Sequence, residues 1–182
     1  GRWICGASSV QQLQLLSVQD PLTGARNRRA MNDELKIASA TQRRHGDQYA
    51  VLVMDLDSFK QINDTYGHQA GDQVLKDFVE LIKAYSRKEV RLFRFGGEEF
   101  LLLLPNTDQD SLQTVASHLQ QQVALQLKGP GGTVTMSSGG AILQRGEHWE
   151  TMLQRADQRL YLAKSAGRNR AIVADPLALA QE

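Results

Sequence analysis

One segment constrains this chain more than any other: Tyr49-Ala-Val-Leu-Val-Met-Asp-Leu56, an apolar run rich in β-branched residues that meets its first charge at Asp55. A strand exposed on one face alternates apolar with polar residues, whereas a strand covered on both faces reads as a continuous apolar run. Residues 49–56 therefore predict a central strand packed between two layers. The acids at its end, Asp55 and Asp57, raise a second question. A carboxylate leaving a buried strand is costly unless something compensates it. Either the pair caps the next helix through backbone N–H groups, or it holds a cation.

The pattern around this strand supplies the layers. Helical spacing predicts helices over residues 27–43, with Met31, Leu35 and Ile37/Ala38 turned inward, and over 58–63, 69–85, 110–127 and 149–166. Further strands are expected over 90–95, 100–104, 133–143 and 171–174, with a Gly/Pro loop at 129–132. Gly96-Gly97 joins two of these strands as a β-hairpin and places Glu98-Glu99 at its tip. Two glycines there permit positive φ and close approach of a bulky ligand. Helices alternating with strands, plus one hairpin, describe an α/β (α+β) fold with helices covering a central sheet. Phe59 reads as core.

Both ends differ from this body. Val10, Leu13, Leu16 and Val18 lie near helical spacing among Gln and Ser, so residues 1–19 read as a helical connector, coiled or frayed, stopped by Asp20-Pro21. Residues 20–175 form the domain, and 176–182 an Ala/Leu-rich tail. The chain begins at Gly1 without a Met and reads as a piece of a longer protein.

Composition excludes several functions. With 21 Lys+Arg against 20 Asp+Glu, the net charge of +1 provides no broad positive field for nucleic acid or an anionic membrane. The longest apolar runs are about half a dozen residues, against roughly 20 for a membrane span. Cys5 is the sole cysteine, which fits a reducing compartment and rules out both an intrachain disulfide and a Cys/His metal site.

The two acidic pairs gain meaning together. Asp55 at the end of a central strand, beside a hairpin tipped with Glu98 and Glu99, gathers hard oxygen donors at one sheet edge. Mg²⁺ favours one or two carboxylates plus substrate phosphates, and such sites serve in-line phosphoryl displacement.

Gly96-Gly-Glu-Glu-Phe100 matches the GG[D/E]EF signature, and the chain resembles the GGDEF-domain diguanylate cyclases. Four more motifs agree in family order: Asp20-Pro-Leu-Thr-Gly-Ala-Arg-Asn-Arg-Arg29, Asp55-Leu-Asp-Ser-Phe-Lys-Gln-Ile-Asn-Asp64, Thr65-Tyr-Gly-His-Gln-Ala-Gly-Asp72 and Ala156-Asp-Gln-Arg-Leu-Tyr-Leu-Ala-Lys-Ser-Ala-Gly-Arg-Asn169. The resemblance implies a mixed five-stranded sheet like the palm of class III nucleotide cyclases. It also implies condensation of two GTP into cyclic di-GMP in a cytoplasmic homodimer, governed by an upstream sensor or signalling region, without nucleic acid or membrane contact by this piece.

Carried over by position, Asp55, the Leu56 carbonyl, Glu98 and Glu99 resemble the ligands of Mg²⁺ (or Mn²⁺), two ions per half-site. Glu98 is also similar to the acid that helps deprotonate the 3′-hydroxyl, and Lys60 to the cation on the transition-state phosphates. Asn63 and Asp72 resemble guanine readers, and His68 a substrate-pocket position. Lys164 and Arg168, four apart at the end of the last helix, are expected on one face, reaching the terminal phosphates. Arg26, Arg28 and Arg29 receive no catalytic role. One departure stands out. The family's product-inhibition motif, Arg-x-x-Asp, here reads Arg87-Lys-Glu-Val90, and Val90 offers guanine no acceptor. Feedback at this site is expected to be weak or absent.

Overall fold

The computed structural model describes residues 17–175. Helix α1, Arg28–His45, starts where the Asn27 side chain accepts from the Ala30 N–H and ends at Gly46, whose φ of 71° suits a left-handed C-cap. Strand β1 is Tyr49–Leu56, then come α2, Phe59–Tyr66, and α3, His68–Tyr85. Strands β2, Arg91–Arg94, and β3, Glu99–Pro105, form the expected hairpin. Helix α4, Gln109–Gln126, begins on an Asp108 cap. The Gly/Pro loop is itself a small hairpin of β4, Lys128–Gly129, and β5, Gly132–Thr133. Strand β6, Met136–Ile142, helix α5, Trp149–Ser165, and strand β7, Arg170–Ile172, complete the order. The strand expected over 133–143 is thus split, because its first residues pair within the small hairpin.

The five-stranded sheet runs β2-β3-β1-β6-β7, with β7 parallel to β6 and the other pairs antiparallel. The mixed sheet flanked by helices is the fold class expected. Strand β1 lies at the centre, and Ala50 to Asp57 are all buried, as its apolar run demanded. Side-chain parity divides it between two cores. Ala50, Leu52, Met54 and Leu56 pack with Val74, Leu75 and Phe78 of α3 and Leu112 and Leu119 of α4. Val51 and Val53 pack with Met31 and Leu35 of α1 and Met152, Ala156 and Leu160 of α5. Leu52 is fully buried, so Leu52→Ala would cost about 2–5 kcal/mol. Phe59 is core, as expected. Ile37 is not: α1 turns Ala38 inward and leaves Ile37 exposed.

The same parity carries Asp55 and Asp57 to the α5 side. Helix α5 approaches closely because β6 has Gly139 beneath it, where any Cβ would strike the helix backbone at Ala156 and Leu160. Among the described residues no helix is long and apolar enough to cross a membrane. The connector expected over 1–19 lies outside the described residues except for 17–19, which are not helical, and the 176–182 tail lies outside them entirely.

Candidate active site

Register assembles the acidic edge. Glu99 of β3 sits opposite Asp55 of β1, Asp55 opposite Ser137 of β6, and Ser137 opposite Arg170 of β7. Glu98 lies one residue before β3, its carbonyl accepting from Leu56 N–H at 3.4 Å. Asp55 is buried and takes a 2.5 Å hydrogen bond from Lys164 Nζ, donated from the last turn of α5. Burial pushes the Glu98 carboxyl up from its ordinary range; the charge of Asp55 and a hydrogen-bond contact with its carboxyl add to this, and Lys164 opposes it. Two acids within hydrogen-bond reach, with one lysine to balance them, form a hard-oxygen pair that a divalent cation would relieve. The donor chemistry therefore fits the expected metal.

Glu99 is arranged differently. Its carboxylate lies across Gly96, where a Cβ would collide with it. It also faces α5, where its charge, after desolvation, helps push up the Asp157 carboxyl. Among the described residues no three His, Cys, Asp or Glu side chains converge on one metal position. The site is a carboxylate pair with Glu99 beside it.

The capping explanation for the first acidic pair does not hold. Helix α2 is preceded by Ser58 in a left-handed conformation (φ 58°), with no side-chain cap. Asp57 instead takes Ser137 Oγ on Oδ1 at 2.7 Å, and Thr135 Oγ1 (2.7 Å) and the Asn169 N–H (3.0 Å) on Oδ2. The glycines also serve otherwise than expected. Neither Gly96 nor Gly97 has positive φ; Gly96 is needed for the space Glu99 fills. Their carbonyls are gripped by Arg94: Nε donates to Gly96 at 3.2 Å and Gly97 at 3.1 Å, and Nη2 to Gly97 at 2.8 Å. Arg94 also pairs with Asp20 at 3.1 Å, tying the hairpin tip to the turn before α1. Burial would raise the Asp20 carboxyl, but bonds from Thr23 and Arg94 outweigh it and hold the group low. Sequence reasoning missed Arg94, although its place two residues before the glycine pair was a usable signal.

Lys60 is exposed on the first turn of α2, Asn63 half-buried one turn on, and His68 exposed as the first residue of α3. The Asn63 amide of α2 abuts Gly71 of α3, which leaves it room, and the half-buried Asp72 is the next residue of α3. Lys164 and Arg168 do not share a helix face. Helix α5 ends at Ser165, and Gly167, Arg168 and Asn169 then run at φ 119°, 64° and 47°. Phe100 is fully buried and packs on Phe78, with ring centroids 4.9 Å apart. At the sheet's opposite end Arg87 and Val90 border a cavity of about 340 Å³ that also includes Arg26, Lys83, Lys88 and Arg91, with no carboxylate in its lining.

A central mixed sheet thus carries at one edge a carboxylate pair, a lysine and a glycine-rich hairpin. The sequence matches the family described as "Diguanylate cyclase, GGDEF domain" over residues 17–170. It is 38% identical over 170 residues to diguanylate cyclase DgcP of Pseudomonas aeruginosa, covering 92% of this chain and 25% of that protein. It is 34% identical over 166 residues to response regulator PleD of Caulobacter vibrioides, covering 85% of this chain and 35% of that protein. Among solved structures, the coiled coil and GGDEF domain of DgcB from Caulobacter crescentus, in complex with c-di-GMP, superposes with a TM-score of 0.83 at 33% identity, covering 92% and 91% of the two chains. SiaD of Pseudomonas aeruginosa, bound to its activator SiaC, gives 0.81 at 34% identity, covering 92% of this chain and 67% of that one. The chain belongs to the GGDEF-domain diguanylate cyclase family. It spans a quarter to two-fifths of the length of the first curated relatives it matches.

Proposed function

We infer that this domain condenses two GTP molecules into cyclic di-GMP, releasing two pyrophosphates. The observation that carries the reading is the carboxylate pair of Asp55 and Glu98 beside Lys164, on a GGEEF hairpin of the matching family. Mg²⁺, with Mn²⁺ as an alternative and two ions per half-site, would be held by Asp55, the Leu56 carbonyl and Glu98, with Glu99 adjoining, and would supply Lewis-acid polarisation of the phosphates. The Glu98 carboxylate accepts the proton of the 3′-hydroxyl, a task its raised pKa suits. As each 3′-oxygen bonds to the α-phosphorus of the other nucleotide, the bond to the β-phosphate breaks. Lys60 stabilises charge gathering on the phosphates, and Lys164 and Arg168 hold their outer end. Asn63 and Asp72 read the guanine edge, where adenine lacks the N1–H and N2–H₂ donors a carboxylate accepts. His68 borders the same pocket.

Each copy of the domain holds one GTP, so the reaction requires a homodimer with two half-sites head to head. An upstream signalling region aligns the copies by raising their effective concentration. GTP as substrate places the work on the cytoplasmic side. Incubation with GTP and Mg²⁺, followed by chromatographic identification of the product beside a Glu98→Ala control, tests the reading. Cyclic di-GMP from the wild type alone is expected. GTP binding without turnover in an enforced dimer would instead mark a silent regulatory module, and cyclic GMP a mononucleotide cyclase.

A further inference from the structure

We propose that Asp57 is a positioning residue: it fixes the left-handed Gly167-Arg168-Asn169 turn and so holds Arg168 at the phosphate end of the site. The inference rests on the GTP reading above. Asp57 is only 8% exposed, and three donors from two separate segments converge on it: Thr135 just before β6 and Ser137 within it, and the Asn169 N–H. Three of about four acceptor positions on the carboxylate are therefore taken. Asp55, two residues earlier and on the same face, takes its hydrogen bond from Lys164 and has a second acid beside it.

The turn held by Asp57 is unusual. Three successive residues lie at positive φ, and two of them are not glycine. Such backbone persists only where its surroundings over-determine it, and strain of this kind concentrates at ligand clamps. The restraints here are many. Beyond Asp57, Gln120 Nε2 donates to Asn169 Oδ1 at 3.0 Å, Arg168 N–H to the Ala163 carbonyl at 3.0 Å, and Arg170 Nε to the Arg168 carbonyl at 2.9 Å. The turn begins just past Lys164 and ends at Arg170, which stands in register with Ser137 and through it with Asp55. It is thus built onto the acidic edge. Arg168 is exposed and forms no ion pair among the described residues, so the well-held backbone presents an uncommitted cation there. Two non-glycine residues held at positive φ are costly; delivery of that guanidinium explains why they are kept.

The test measures binding of 3′-deoxy-GTP, which lacks the attacking hydroxyl, by titration calorimetry with Mg²⁺, beside steady-state turnover of GTP. Asp57→Asn is expected to weaken analogue binding about tenfold and to raise KM alike, leaving kcat at saturating GTP within twofold. The Mg²⁺ concentration for half-maximal rate should not move. Arg168→Ala should weaken analogue binding to the same extent, and in the double variant analogue binding should fall less than twofold beyond either single one. Gly167→Ala, which strains the turn without touching Asp57, should act the same way and serves if Asp57→Asn does not fold. Unchanged analogue binding, a raised Mg²⁺ requirement, or full multiplication of the Asp57 and Arg168 effects would each overturn the proposal. A wild type that forms no cyclic product would sink the cyclase reading alone, because the binding comparison still decides this one.

Discussion

The two ends of the sheet are made by the same strands and charged in opposite styles. At the far end, Arg155 clasps Glu147 through two hydrogen bonds of 2.8 Å and also donates to the Ile142 carbonyl, while Gln42 Nε2 donates to the Leu143 carbonyl at 2.7 Å. Cation meets anion and the backbone is closed. At the near end Asp55 and Glu98 oppose one another across adjacent segments, and a single lysine bridges toward them. Helix α5 spans both arrangements, Arg155 in its first half and Lys164 in its last turn. The lesson is that electrostatic conflict here is local. The far end holds the fold together, and the near end is left with negative charge that a metal–nucleotide complex would complete.

The largest expected effect separates the ends outright. Glu98→Ala should reduce cyclic di-GMP formation by about 10³-fold, the scale of losing a positioned base. It should also relieve the repulsion on Asp55, so the thermal midpoint measured without metal should rise by about 2 °C. A variant that loses both activity and stability would mean that Glu98 belongs to the structural end after all.

A smaller effect of the opposite kind is expected from Glu147→Gln. Breaking the Arg155 clasp should cost about 2 kcal/mol at pH 7 while leaving kcat within twofold. Burial would raise the Glu147 carboxyl, but the hydrogen bonds from Arg155 and Gln144 and the Arg155 charge outweigh it and hold the group low. Its stabilisation is therefore fully present above the unfolded carboxylate range, near pH 4–5, and is lost as pH falls through the lower folded value. Denaturant midpoints of wild type and variant should converge below that range. A gap that persists in acid would assign the cost to lost packing instead.

The sheet was largely legible from sequence, because burial of β1 on both faces is written as an unbroken apolar run and the hairpin as Gly96-Gly97; the Arg155–Glu147 clasp of the far end was not, since it pairs residues from a loop and a helix that no motif links. The acids of the near end were legible as types but not as partners. Asp55 and Asp57 look alike along the chain; what separates them is which donors the folded sheet presents, Lys164 to one and Thr135, Ser137 and Asn169 to the other. Spacing placed Lys164 and Arg168 on one helical face, yet α5 stops at Ser165 because Gly167 turns the chain left-handed. A glycine pair in a hairpin suggests backbone freedom, whereas the use of Gly96 is the room it gives Glu99, a contact between side chain and backbone that no local pattern encodes. The split of 133–143 likewise follows from pairing inside the small β4–β5 hairpin.

The smallest effect concerns the cavity beside β2, where cations stand without the anions that close the β6 side of the far end, and where a ligand should find little to recognise. Its cations, Lys83, Arg87 and Lys88 among them, attract phosphate, but Val90 packs against the core where the family motif has an aspartate. Phosphate attraction alone is weak, salt-screened and blind to the base. Cyclic di-GMP added to the turning-over wild type should therefore inhibit no more than pyrophosphate and cyclic di-AMP do at equal charge, with the three falling together as salt rises. Val90→Asp should separate them, strengthening the guanine dinucleotide by a few-fold and leaving the adenine one unchanged, at a stability cost of about 1 kcal/mol for the half-buried charge. Submicromolar inhibition of the wild type by cyclic di-GMP alone would mean that recognition of a ligand is not confined to the acidic edge, and that Arg87 finds its guanine partner without an acid at residue 90.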